Sequence, residues 1–169
     1  MFAAMRPAFI LFVLLTVVTG VLYPLAVTGI AQGVFAHAAN GSLLERAGET
    51  VGSKLIGQSF SDPSYFWGRP SATSAVPTDG AASSGSNLGP SNPALQAAIE
   101  RRVAALHAVD PQNTALIPVD LVTASASGLD PHISPAAAEY QLTRVARVRG
   151  MAVADLRRIV ETHTESRAF

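Results

Sequence analysis

The sequence predicts an α+β protein with one N-terminal transmembrane helix, then a single domain outside the cytoplasm built from a small sheet and about three helices. Three observations predict it. Residues Pro7 to Ala36 form an uncharged stretch of 30 residues, long enough for a membrane span. The rest of the chain is roughly 130 residues, the size of one ordinary domain. Within it, Asn-Pro and Ser-Pro pairs open segments of helical apolar periodicity, and a β-branched run, IPVDLVT, reads as a strand.

The hydrophobic stretch comes first in the chain. Between Arg6 and Glu45 there is no charged residue, and Phe, Leu, Val, Ile and Ala dominate. Crossing the hydrocarbon core takes about 20 residues, so the segment can span with tilt or protrude by a turn. Ala36, His37 and Ala38 make an A-x-A pattern that a cleaved signal peptide would also show, but signal peptides carry apolar regions of only about 7–15 residues. Retention as an anchor is therefore the reading. Arg6 precedes the span and no Lys or Arg follows until Arg46, which places the N-terminus in the cytoplasm and the bulk of the chain outside.

Pro24 removes one backbone donor inside the span and predicts a kink near Gly20. Gly29 and Gly33 form a G-x-x-x-G pair, and Thr16 with Gly20 repeats the same small-residue spacing. Thr16, Gly20, Pro24, Gly29 and Gly33 are the expected packing positions for a second helix, with Gln32 and the threonines as polar glue.

Beyond the anchor, residues 38–48 are small and polar and read as a short connection, giving boundaries of 1–36 for the N-terminus and span, 37–50 for the connection and 51–169 for the outer domain. Tyr65, Phe66 and Trp67 stand between Pro63 and Pro70, with Arg69 beside them. Three adjacent rings cannot all face one core. They make either a bend that packs one or two rings internally, with Arg69 stacked on another, or a contact surface, since aromatic and arginine side chains supply most interface hot spots.

Ser71 to Asn92 is too rich in Gly, Ser, Pro, Asn and Asp for a helix or strand, so it is a long loop, either binding or loosely held. Asn92 caps and Pro93 opens a helix to about His107, its stripe formed by Leu95, Ile99, Val103 and Leu106. Asp110-Pro111 turns the chain into the expected strand Ile117 to Thr123, with Pro118 placing it at an edge. After a second loop, ASASGLDPHIS, Ser134 caps a helix that Pro135 opens and Gly150 stops. A last amphipathic helix carries Val153, Leu156, Ile159 and Val160 and ends near Thr164.

The chemistry that these residues exclude is as informative as the pattern. With no cysteine, disulfides, thiolate zinc sites and cysteine nucleophiles are out. Twelve basic and twelve acidic side chains cancel, so no net field draws nucleic acid. Gly48 to Lys54 has the wrong spacing for a phosphate loop, and Leu55 stands where a magnesium-binding hydroxyl is needed. Asp130 and His132 near several serines lack a nucleophile elbow, and the four histidines lack ligand spacing. Arg144, Arg147, Arg149, Arg157 and Arg158 raise a helix-turn-helix DNA reader as a rival, but outside the cytoplasm they pair with Glu139, Asp155 and Glu161 or face a partner protein.

An apolar N-terminal helix with an internal Tyr-Pro, then QSFSDPSYFWGRPSA, SGSNLGPSNP, VDLVTASASGLDPHISPAAAEYQ and RVARVRG, in this order, resembles the C-subunit family of bacterial Kdp potassium-transporting P-type ATPases. The resemblance spans nearly the whole chain. It implies a single-pass protein of the inner membrane with a periplasmic domain beside a potassium-channel-like A subunit, an ATP-hydrolysing B subunit nearby, and a small F subunit. The lipid bilayer is a further partner and nucleic acid is not.

The family role it implies is that of a catalytic chaperone raising the B subunit's ATP affinity; ATP and potassium belong to the complex, and no cofactor is assigned to this chain. A periplasmic domain cannot reach cytoplasmic nucleotide, so any such effect is expected to travel through the membrane helices. Tyr65, Phe66, Trp67, Arg69, Asn87, Asp130 and His132 are the expected partner-contact residues, with no catalytic or metal residue. The resemblance also implies a glycine-containing turn and an edge strand beyond Phe169, whose absence would leave a partner strand unpaired. A free-standing membrane-anchored binding or hydrolytic protein is the alternative.

Overall fold

The structure, a computed structural model, describes residues 2–165. The edge strand that the resemblance implies beyond Phe169 lies outside the described residues. The chain divides into two compact units, Met1–Ser53 and Lys54–Phe169.

The first unit is dominated by a helical span, Ala4–Val34, of 31 residues, none of it buried. It is built from α1 (Phe2–Val17), a π-helical turn (Val18–Leu22) and α2 (Tyr23–Val34). The π turn is where Pro24 predicts trouble. The proline has no N–H to offer the carbonyl one turn back, and its ring crowds that carbonyl; widening the turn around Gly20, with the Tyr23 N–H bonding the Val18 carbonyl, relieves both. The polar side chains of the span also bond within the chain. Thr16 and Thr19 donate to their own backbone at Phe12 and Leu15 (2.8 and 2.7 Å), and Gln32 exchanges amide bonds with Asn40 (3.2 and 3.3 Å). Phe35, at φ −128°, ends α2, and Ala36–Ala39 form the short α3. The Ala36-His37-Ala38 triplet therefore sits in a helical turn.

The expected connection holds more structure than its composition suggested. β1 (Leu43–Arg46) and β2 (Glu49–Ser53) pair antiparallel through a two-residue turn in which Ala47 (φ 54°) and Gly48 (φ 81°) both adopt positive φ. That is the turn whose twist suits a hairpin, and it is built here without the usual Asn-Gly signal. The same hairpin disposes of the phosphate-loop reading, since Gly48 and Gly52 serve a turn and a strand.

The second unit contains α4 (Pro93–Val109), α5 (Pro135–Arg149) and α6 (Val153–Thr162). The predicted starts hold: Asn92 Oδ1 accepts from the Ala94 N–H, Ser134 Oγ accepts from the Ala137 N–H, and Gly150 closes α5 at φ 64°. The strand expected at Ile117 to Thr123 is absent. Val119–Leu121 form a 3-10 turn, in which the Pro118 carbonyl accepts from Leu121 and the Val119 carbonyl from Val122 and Thr123. Local bonding satisfied these groups before any strand did, and β-branched content alone could not reveal it.

Helix α5 organises this unit. Its Ala137 and Tyr140 join Leu106, Leu121 and Val122 in one apolar cluster, against which Trp67, Ile99 and Val103 pack. Its Leu142, Val145 and Ala146 join Leu156 in a second, with Phe66 and Val160 against it. The α6 stripe is only half used: Val153 and Ile159 remain 37% and 47% exposed.

Candidate partner-contact site

The aromatic segment is held against α5 by two polar residues buried in its face. Gln141 and Arg144 are each 1% exposed. The Gln141 side chain pairs with the backbone of Trp67 as a strand would, accepting from its N–H (2.8 Å) and donating to its carbonyl (3.1 Å). Arg144 donates to the Gln141 amide oxygen (2.7 Å), to the Tyr65 carbonyl (3.2 Å) and to the Pro63 carbonyl, while its guanidinium lies 5.2 Å from the centre of the Trp67 ring. Burial pulls the Arg144 pKa down, and the Asp110 carboxylate opposes that shift.

Sequence reasoning missed this pair. Arg144 was expected to meet an acid or a partner protein, but its position on the stripe of Ala137, Gln141, Leu142 and Val145 places it inside. That two long polar residues share an otherwise apolar stripe was the available signal.

With the backbone fixed, the three rings separate. Phe66 enters the second cluster and Trp67 the first, where Trp67 Nε1 donates to the Asp62 carbonyl (3.1 Å). Tyr65 turns outward, 44% exposed, stacked on Phe60 at 5.1 Å with the Arg149 guanidinium 5.0 Å from its ring. The stacking arginines are thus Arg144 and Arg149. Arg69, expected in that role, instead pairs with Asp130 at 3.0 Å.

Asp130 links this segment to the second loop. Its other oxygen accepts from the His132 N–H (3.0 Å), with the exposed imidazole 3.5 Å away. Burial pulls the Asp130 carboxyl up, but the His132 N–H and the Arg69 guanidinium outweigh it and hold the pKa below the ordinary 3.8. A carboxylate with a depressed folded pKa contributes stability above its unfolded pKa and loses it as pH falls through the folded value. Melting temperature is therefore expected to fall as pH drops from about 5 through the range below 3.8, and Asp130→Asn to flatten part of that fall. A wild-type and Asn variant with parallel profiles would contradict it. Asp130 thus ties the aromatic segment, through Arg69, to the backbone at His132.

The two loops meet backbone to backbone. Gly57 N–H donates to Leu129 (2.8 Å), Ser84 N–H to Ser127 (2.9 Å), and the Ser71 hydroxyl to the Gly128 carbonyl (2.8 Å). Such proximity needs glycine: a Cβ on Gly57 would lie 2.8 Å from the Asp130 carbonyl oxygen, and one on Gly85 2.7 Å from that of Ala126. The first half of the 71–92 loop is accordingly pinned. Asn87 sits in its second half, exposed, at φ 50°, and outside the network joining Trp67, Arg69, Asp130 and His132.

The arginines of α5 and α6 are spent inside the domain. Arg147 pairs with the buried Asp110 (2.9 Å), Arg149 donates to the Ser64 carbonyl, Arg157 ties α6 to Glu139, and Arg158 meets Asp155 (3.3 Å). No group of His, Asp and Glu suited to a metal occurs among the described residues.

One apolar helix long enough to span a membrane, a two-stranded hairpin after it and a helical unit with pinned loops fit a single-pass α+β membrane protein. The chain belongs to the KdpC family, the K+-transporting ATPase c chain, whose family model matches residues 5–169. It is 61% identical over 167 residues to the potassium-transporting ATPase KdpC subunit of Sorangium cellulosum, covering 99% of this chain and 88% of that one. The corresponding subunit of Dechloromonas aromatica is 63% identical over 165 residues (98% and 86% covered), and that of Ralstonia nicotianae 64% over 160 residues (95% and 78% covered).

Proposed function

We propose that this chain is a non-catalytic subunit of a high-affinity, ATP-driven potassium uptake complex in the bacterial inner membrane, where it stabilises the assembly. Its N-terminus is cytoplasmic, residues 1–36 anchor it, 37–50 connect, and 51–169 face the periplasm. The charge asymmetry between Arg6 and Arg46 supports that orientation. Thr16, Gly20 and Pro24 form one small-residue row of the span and Gly29 with Gly33 another, and these rows are where transport-subunit helices pack.

The observation that carries the reading is the rigid presentation of the aromatic segment, with Gln141 and Arg144 fixing its backbone while Tyr65 and Phe60 stack outward. A pre-organised aromatic pair beside an arginine is the composition of an interface anchor. Tyr65, Phe66, Trp67, Arg69, Asp130 and His132 contribute together, the half-buried members by holding the exposed ones in place, and Asn87 contributes separately from its own loop. Their partner is the potassium-channel-like subunit, with the ATP-hydrolysing subunit and a small F subunit completing the complex. Any rise in ATP affinity of the hydrolysing subunit passes through the membrane helices as a coupling free energy between sites.

Pull-down in detergent tests this. Tyr65→Ala and His132→Ala, exposed changes that spare the fold, are expected to cut recovery of the transport subunits several-fold at unchanged melting temperature. Undiminished recovery together with unchanged potassium affinity would refute the proposal.

A further inference from the structure

A cleft of about 240 Å³ in the second unit is lined by Phe60, Trp67, Arg69, Ser71 and Arg102 among others, with no acidic side chain in its wall. Two arginines therefore line one small space, and among the described residues only Arg69 has a carboxylate partner. Arg69 is paired with Asp130, yet its Nε–H is out of solvent without an acceptor. Among the described residues Arg102 has no acidic partner: Nη1 donates to the Val122 carbonyl (2.7 Å). Burial, with Arg101 nearby, pulls the Arg102 pKa down, the mark of a cation short of counter-charge.

We propose that this cleft binds a small oxyanion, of the phosphate or carboxylate type, between Arg102 and Arg69. Guanidinium forks match both geometries, the Ser71 hydroxyl adds a polar group, and the rings of Phe60 and Trp67 lower the local dielectric, which strengthens a charge-assisted bond. Size sets the preference. The cleft falls below the roughly 300–1,000 Å³ typical of pockets for larger ligands, so it suits a small oxyanion with several waters better than a nucleotide.

The full chain in detergent micelles provides the test. Sodium phosphate, sodium acetate and ATP are titrated against sodium chloride at constant ionic strength, with melting temperature and the emission of Trp67, the sole tryptophan, as readouts. The expected result is a saturable rise of about 2–4 °C and a saturable change in emission with phosphate or acetate, the larger response naming the anion class. Arg102→Gln is expected to abolish both. Ala105→Glu, on an exposed position of the lining, places a carboxylate at the cleft without removing a contact and is expected to do the same. The inference is overturned by a response no greater than that to chloride, by an undiminished response in Ala105→Glu, or by ATP binding more tightly than phosphate. The partner-contact reading stands or falls separately, because this assay contains no transport subunit.

Discussion

Replacing Arg144 with alanine is expected to destabilise the second unit by on the order of 4 kcal/mol and to shift Trp67 emission to longer wavelength. The change leaves the carbonyls of Pro63 and Tyr65 without this donor and removes one of the two donors on the Gln141 amide oxygen, which keeps the Trp67 N–H, where a side chain 1% exposed had stood. Each buried acceptor so orphaned costs about 1–3 kcal/mol, and the void left by the side chain adds to that. Arg144→Lys keeps the charge but cannot reach three acceptors and one ring with a single ammonium, so most of the loss should persist. Thermal unfolding followed by the fluorescence of the sole tryptophan measures both effects. A lysine variant of wild-type stability would show that charge alone, and not the fork, holds the aromatic segment.

Gly128→Ala is expected to cost about 2–5 kcal/mol, and Gly150→Ala only about 1–2 kcal/mol, although both glycines have positive φ (70° and 64°). The backbone strain is shared; the space is not. A Cβ on Gly128 would lie 2.6 Å from the Ser84 carbonyl oxygen and 2.9 Å from Thr73 Cγ2, whereas one on Gly150 meets nothing within 4 Å. The Gly128 variant must push apart the loops that carry Arg69 and Asp130, so lost stability should come with weakened recovery of the transport subunits. Comparing melting temperatures of the two variants decides the point, and equal losses would mean that the loop contact contributes nothing.

What could be read from the sequence depended on the range of the forces involved. Helix starts and stops depend on side chains a few residues away, and Asn92, Ser134 and Gly150 were legible for that reason. The span was legible because its length and lack of charge are one-dimensional properties. Ile117 to Thr123 was misread because strand formation depends on a partner strand, which local sequence cannot supply. The hairpin at Ala47-Gly48 was missed because alanine seldom marks a positive φ.

At the candidate site, the aromatic residues and Arg69 were found by type. Their grip on Gln141 and Arg144 was not, because it joins residues 74 or more positions apart. Asn87 shares composition with the site residues but not their network, which no residue count could separate.

The most direct test of the central claim, that this domain presents a pre-formed contact surface to a potassium-transporting complex, is the quantity of transport subunits recovered per chain for Tyr65→Ala against Arg158→Ala. Both positions are exposed and both variants should fold, but only the first removes an anchor from the aromatic pair. Recovery several-fold lower for Tyr65→Ala, and unchanged for Arg158→Ala, is the predicted result. Equal recovery for both, at wild-type level, would contradict it.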